Sequence, residues 1–260
     1  MVKTMRIDSE QLPQQLSRGL KPLYTVFGDE PLLALEAADR VRLEARRAGF
    51  DQREVLIAES GFSWERLLMS ANSLSLFGTR RLLDLRIPSG KPGVEGAEAL
   101  HAYCARLPVD TVTLVSLPAL DWQARKSKWF EALDGAGLSV EAKAVERGQL
   151  PQWITGRLAL QQQRASPETL EFIADRVEGN LLAAFQEIQK LALLFPAGEL
   201  SFEQVKDAVL DVARFDVFQL GEALLAADAG RFARILDGLK GEGVAPTLVL
   251  WAITEEIRAL

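Results

Sequence analysis

The sequence predicts an α/β domain, built as a parallel sheet with crossover helices, followed by all-α helical domains. Three observations carry this. Up to about residue 145, short apolar runs alternate with helical patterns of about 10–15 residues, the spacing of strands joined by crossover helices. Thr111–Ser116 is an unbroken run rich in β-branched residues, the mark of a strand covered on both faces. After Gln149 the strand signals vanish and helical periodicity alone continues.

The elements follow in order. Leu23–Phe27 is the first strand, and Gly28-Asp29-Glu30-Pro31 turns the chain into a helix that runs to about Arg47. Glu54–Ala58 is a second strand, and Ser63 is placed to cap the helix behind it. Arg81–Ile87 is a third, leading through the Pro/Gly-rich loop Pro88 to Gly93 into the helix Glu95–Arg106. Thr111–Ser116, the helix Ala124–Leu133 and a strand near Leu138–Ala142 complete the first domain. Beyond it, Leu150–Gln163 is helical, and Ser166-Pro167-Glu168 starts a helix that Gly179 ends. Leu181–Phe195 is a strongly apolar helix closed by Pro196 and Gly198, and Ser201 with Gln204 forms a capping box for Phe202–Leu210. Three further helices cover Val217–Ala227, Arg231–Lys240 and Thr247–Leu260. In the last, Leu248, Leu250, Trp251, Ile253 and Ile257 need a partner surface that the chain does not fully supply. The expected division is therefore 1–146, 147–213 and 214–260, the third domain being incomplete.

One apolar pair does not fit its own helix. Behind Ser63, the residues Trp64, Leu67, Leu68 and Ala71 fall within about 100° of arc and form one buried stripe. Leu76 lies about 120° to one side of Trp64 and Phe77 about 140° to the other, and Gly78 then stops the helix. Either another element covers this Leu-Phe pair or it is meant for a partner.

Composition narrows the chemistry. The chain has 260 residues, 48% of them hydrophobic, enough for more than one core. Its one cysteine, Cys104, excludes an internal disulfide, and its one histidine, His101, excludes a His-rich metal site. His101 and Cys104 sit at i and i+3 and offer two ligands where zinc normally takes three or four. No apolar run approaches the ~20 residues of a membrane span, and Met1–Leu16 lacks the apolar centre of a secretory signal, so a reduced, cytoplasmic setting with no membrane contact is expected. The net charge of −6 argues against a chain that grips nucleic acid alone. The densest basic cluster, Arg125, Lys126 and Lys128 beside Trp122 and Trp129, fits a solvated helix face or a local DNA contact equally well.

An α/β unit of this kind is tested first as a nucleotide binder, with the phosphate slot between the first strand and the first helix. A P-loop needs a second glycine and a lysine. This chain has Gly28, Asp29 and Glu30 instead, and the two carboxylates occupy the helix start where the anion would sit. On the third strand Asp84 is followed by Leu85, not by the second acidic residue that would complete a magnesium site. His101 is the one possible base for a nucleophilic mechanism and has no evident orienting group. The reading is a fold nucleotide-binding in shape and inert in chemistry, with no catalytic residue, metal or cofactor.

The order and spacing of several segments are similar to the delta subunit of the bacterial DNA polymerase III clamp loader. They are Leu23-Tyr24-Thr25-Val26-Phe27-Gly28-Asp29-Glu30-Pro31-Leu32-Leu33, Ser75-Leu76-Phe77-Gly78-Thr79-Arg80-Arg81, Gly179-Asn180-Leu181-Leu182 with Glu187 and Lys190-Leu191, and Phe215-Asp216-Val217-Phe218 with Ala223-Leu224-Leu225. The resemblance covers essentially the whole chain. It implies an AAA+-like first domain, a small lid-like second domain and a helical third domain that forms a collar with other subunits. Delta chains are longer, which fits an incomplete collar. It implies no ATPase activity, since active relatives carry an arginine where this chain has Leu182. It further implies that Leu74, Ser75, Leu76 and Phe77 bind the β sliding clamp and help open it. The implied partners are that clamp, the ATPase and delta-prime-like subunits, and primed DNA reached through the complex. Two other readings are a AAA+ ATPase with a degenerate P-loop and a DNA-binding adaptor acting through Arg125, Lys126 and Lys128.

Overall fold

The computed structural model describes residues 5–72, 80–209, 217–241 and 243–259. The chain divides into two compact units, Met1–Ala144 and Val145–Leu260.

The first unit is a six-stranded parallel sheet. Its strands are β1 (Met5–Asp8), β2 (Leu23–Gly28), β3 (Gln52–Ile57), β4 (Arg81–Arg86), β5 (Thr111–Ser116) and β6 (Leu138–Ala142), in the order β1-β6-β2-β5-β4-β3. Its helices are α1 (Leu12–Leu16), α2 (Pro31–Arg47), α3 (Glu65–Asn72), α4 (Gly93–Ala105), α5 (Trp122–Arg125) and α6 (Lys128–Ala136). The central strands are buried on both faces, as the apolar runs require. On one face, Ala37, Ala38 and Val41 of α2 pack on Tyr24, Val26 and Leu114. On the other, Leu100 of α4 and Phe130 and Leu133 of α6 pack on Phe27, Leu85 and Val115.

Three features differ from the sequence reading. β1, too short to stand out in the sequence, pairs with β6 and extends the sheet by one edge strand. The helix expected over Ala124–Leu133 is two helices, α5 and α6. Ser127, in extended backbone, separates them, and its hydroxyl donates back to the Ala124 carbonyl at 2.6 Å. The helix behind Ser63 begins at Glu65.

The second unit holds α7 (Leu150–Leu160), α8 (Pro167–Val177), α9 (Leu181–Leu194), α10 (Phe202–Ala208), α11 (Val217–Leu225), α12 (Ala229–Gly241) and α13 (Pro246–Ala259). It also holds two short strands, β7 (Gln163–Ala165) and β8 (Gly198–Leu200), paired in parallel, which corrects the expectation that strands end at Gln149. The reason is local. Gln162 takes a left-handed conformation (φ 59°) that ends the α7 run, and the buried Gln163 amide donates to the carbonyls of Leu191 and Phe195 behind α9. The expected cap of α8 (Ser166) and the Ser201/Gln204 capping box of α10 are formed, and Asn180, which the sequence reading did not single out as a cap, accepts from the Ala183 N–H at the start of α9. An ion-pair network ties α12 to α8: Arg231 meets Glu178 at 2.6 Å, and Arg234 meets Asp175 at 3.1 Å. On α13, Val249 and Ala252 are buried while Leu248, Leu250, Trp251 and Ile257 are exposed. Among the described residues, no helix is long and apolar enough to cross a membrane.

Candidate functional site

The turn between β2 and α2 is where the fold would place a phosphate. Gly28 has φ +147°, and a Cβ there would lie 2.0 Å from the Ala142 carbonyl oxygen of β6. Glycine is needed because the next strand's backbone presses against the turn. The Glu30 amide then donates to the same Ala142 oxygen at 3.1 Å, which fixes the entry into α2. The Glu30 carboxylate folds back and accepts the Leu32 N–H at 3.2 Å, so the helix start is capped by its own chain. Burial pushes the Glu30 carboxyl above the ordinary carboxylate range, and the Leu32 hydrogen bond offsets part of that rise. Asp29 is exposed. Backbone donors that could cradle a phosphate therefore face a resident carboxylate.

Asp84, noted in the sequence for the magnesium site it lacks, is the centre of an arginine cluster. Its side chain is 0% exposed. Arg42 of α2 donates to it through Nε at 3.0 Å, and Arg53 of β3 donates through Nε at 3.1 Å and through Nη2. Arg86, two residues along β4, reaches within 3.6 Å. Burial alone would raise the Asp84 carboxyl. The guanidinium groups of Arg42 and Arg53 reverse this and hold it below the ordinary range. The sequence reading missed these arginines because they come from three separate elements. Only Arg86, sharing a strand face with Asp84 at i+2, left a local signal.

The other expected residues are dispersed. Leu74, Ser75, Leu76 and Phe77 lie outside the described residues. Just ahead of them, α3 buries Leu67 and leaves Met69 66% exposed. A groove of about 770 Å³ runs between α3 and α4, lined by Phe62, Trp64, Leu68, Glu95 and Glu98. Of the basic cluster, Arg125 turns inward: it donates to the Leu120 carbonyl at 2.9 Å, pairs with Glu141 at 2.5 Å and lies over the Phe27 ring. Lys126 lies 3.8 Å over the Trp122 ring, and both Lys126 and Lys128 are exposed. His101 is exposed, and burial pushes the Cys104 thiol up to about 12. On α9, the position after the Asn180 cap and Leu181 is Leu182, 48% exposed.

Comparison with known proteins adds sequence and fold relatives. A family model described as "DNA polymerase III, delta subunit" matches residues 24–143. The chain is 32% identical to DNA polymerase III subunit delta of Escherichia coli over 259 residues, 98% of this chain and 75% of that one. Its fold is similar to the solved clamp loader delta protein of Bacillus subtilis, with a TM-score of 0.58 at 22% identity, covering 96% of this chain and 76% of that one. A second solved structure, the RuvB Holliday junction branch migration motor of Thermotoga maritima, shares the fold with a TM-score of 0.51 at 15% identity, covering 84% and 76%. The fold is thus one shared with both of these solved structures.

Proposed function

Because the chain belongs to the DNA polymerase III delta-subunit family, we propose that it serves the clamp loader as the subunit that grips and helps open the β sliding clamp. It does so through Leu74, Ser75, Leu76 and Phe77 and without hydrolysing ATP itself. The observation that carries the second half is the Glu30 carboxylate capping α2 at the phosphate slot, 3.2 Å from the Leu32 amide. The same negative group that stabilises the helix start repels a phosphate from it. The gripping role draws on the sequence: an apolar pair set off its own helix's stripe, directly after α3. Burying a Leu and a Phe in a preformed pocket contributes roughly 3–6 kcal/mol, the scale of an interface hot spot. Nanomolar affinity requires about −12 kcal/mol, so flanking contacts share the load. Ring opening also demands tighter binding to the open clamp than to the closed one, since a ligand shifts an equilibrium only by its differential affinity. The ATP-hydrolysing subunits would then govern when this segment is presented, and primed DNA would be met through the assembled loader.

The experiment is direct. Leu76→Ala/Phe77→Ala abolishes binding to the sliding clamp in a pull-down while circular dichroism stays unchanged; unchanged affinity removes the role from this segment. Saturable, magnesium-dependent binding of ATP in a calorimetric titration would instead favour a degenerate but working ATPase.

A further inference from the structure

We propose that the groove between α3 and α4 is a docking surface for a basic, apolar segment of a protein partner, one in which arginine or lysine side chains stand beside leucine-like ones. The groove holds about 770 Å³, room for several side chains. Its floor is apolar and its rim is acidic. Phe62, Trp64 and Leu68 supply the floor, and Glu65 of α3 with Glu95 and Glu98 of α4 supply the rim. The floor holds its shape before any partner arrives. A Cβ at residue 96 would lie 2.5 Å from the Trp64 indole, so Gly96 is what lets that ring rest on α4. Phe62 meets Trp64 edge to face, with ring centroids 5.2 Å apart. A preformed surface of this kind loses little freedom on binding.

The charge on the rim is left unanswered by the chain. Along α2, Glu36, Asp39 and Glu44 each meet an arginine about one turn away. Glu65, Glu95 and Glu98 form no ion pair among the described residues. Glu95 and Glu98, at i and i+3, share one face of α4 and repel each other, a cost that a cation laid beside them removes. Arg66 of α3 lies over the Phe62 ring, 5.8 Å from its centroid. It shows that this floor attracts a guanidinium, and counting it still leaves the groove two negative charges in excess.

These two properties select the occupant. Residues 73–79, which follow α3 directly, contain no charged side chain and cannot balance the rim. A nucleic acid brings phosphates, which the rim repels. Arginine and lysine answer both features at once: their stems pack on apolar surface while their heads reach the carboxylates or a ring face. Leucine-like neighbours then fill the remaining floor, the general pattern of a peptide laid along a groove beside helices. The surface is separate from Leu74–Phe77 and does not depend on the role of that segment.

The test titrates the full chain at low salt with the peptide acetyl-Ala-Leu-Arg-Leu-Arg-Ala-amide, read by calorimetry. Saturable binding is expected. Replacing both arginines of the peptide by citrulline, or both leucines by serine, should weaken it at least about fivefold. Glu95→Gln/Glu98→Gln should weaken it roughly fivefold, the effect of losing two exposed charge contacts. Two controls locate the peptide. Glu168→Gln/Glu203→Gln, which removes the same charge from the second unit, should bind it like the parent chain, and so should Leu76→Ala/Phe77→Ala. Absence of saturation, a citrulline or serine peptide as tight as the original, or a rim variant that binds like the parent chain each overturn the surface. An equal loss in Glu168→Gln/Glu203→Gln overturns it too, because net charge then explains the binding. A loss in Leu76→Ala/Phe77→Ala overturns it by assigning the peptide to that segment.

Discussion

Replacing Asp84 by Asn isolates the arginine cluster with almost no change in shape. The parent carboxylate is wholly buried and accepts from Arg42 at 3.0 Å and from Arg53 at 3.1 Å. Asn keeps one acceptor oxygen but turns an NH₂ donor toward guanidinium donors, leaving Arg42, 15% exposed, without its buried counter-charge. Removing one partner of a buried ion pair costs about 3–5 kcal/mol. Two features reduce this: Arg53 is 41% exposed, and Arg42 keeps Asp39 at 2.6 Å. The expected cost is about 2–3 kcal/mol.

Amide hydrogen exchange of the full chain reads this locally, because two units need not unfold together. Protection of β4 and β5 should fall roughly 30- to 150-fold in Asp84→Asn at pH 7. The pH dependence provides a second check. The folded Asp84 carboxyl is held below its ordinary value, so its stabilisation is present above the unfolded pKa of about 3.9 and is lost as pH falls through the folded value. The difference between parent and variant should therefore be full at pH 7 and shrink below about pH 4. A loss of protection under about threefold at pH 7, or a difference that grows on acidification, refutes the reasoning.

Three more expectations follow from single contacts. Gly28→Ala drives a methyl group to 2.0 Å from the Ala142 carbonyl oxygen, so urea unfolding should show a loss of about 2–4 kcal/mol; a loss under 1 kcal/mol contradicts the close approach. Glu30→Ala removes the α2 cap and should cost about 0.5–2 kcal/mol at pH 7, whereas Glu30→Gln keeps an acceptor, sheds the buried charge and should cost less in the same titration. Cys104, its thiol pushed up to about 12 by burial, should resist iodoacetamide at pH 8 in the native chain and react once urea unfolds it; fast native labelling would contradict its burial.

Legibility in the sequence followed locality. β2, α2, β5 and β6 emerged within a residue or so of their observed bounds, because each is announced by its own apolar run and by neighbouring Gly, Pro or capping residues. The caps at Ser166 and Ser201 were readable for the same reason. β1 was hidden because four residues on a sheet edge carry too little pattern, and their partner β6 lies far along the chain. The break between α5 and α6 was hidden because the Ser127 turn competes with helix through one hydroxyl, a choice that neighbouring packing of Trp129 and Phe130 decides. In the β2–α2 turn the sequence set both Asp29 and Glu30 at the helix start; the structure places the Glu30 carboxylate there and leaves Asp29 exposed. The Asp84 cluster was not legible, since Arg42, Arg53 and Arg86 gather only when α2 lies over the assembled sheet.

A nucleotide site requires two things within reach of one ligand: free backbone donors at a helix start and a positive charge to neutralise phosphate. This fold separates them. The Leu32 N–H at the start of α2 serves the Glu30 carboxylate, an anion tethered to the chain itself. The positive charges of Arg42, Arg53 and Arg86 gather instead around Asp84 on β4, whose carboxylate already accepts from two of the three. Neither arrangement weakens the sheet. Strand order follows from the apolar rows of β2, β5 and β4 and from the handedness of their crossovers, and both are independent of any bound nucleotide. The capped helix start also removes the need for an external anion to satisfy it. The architecture thus does not depend on phosphate chemistry, which is why shape and activity have to be argued from different residues.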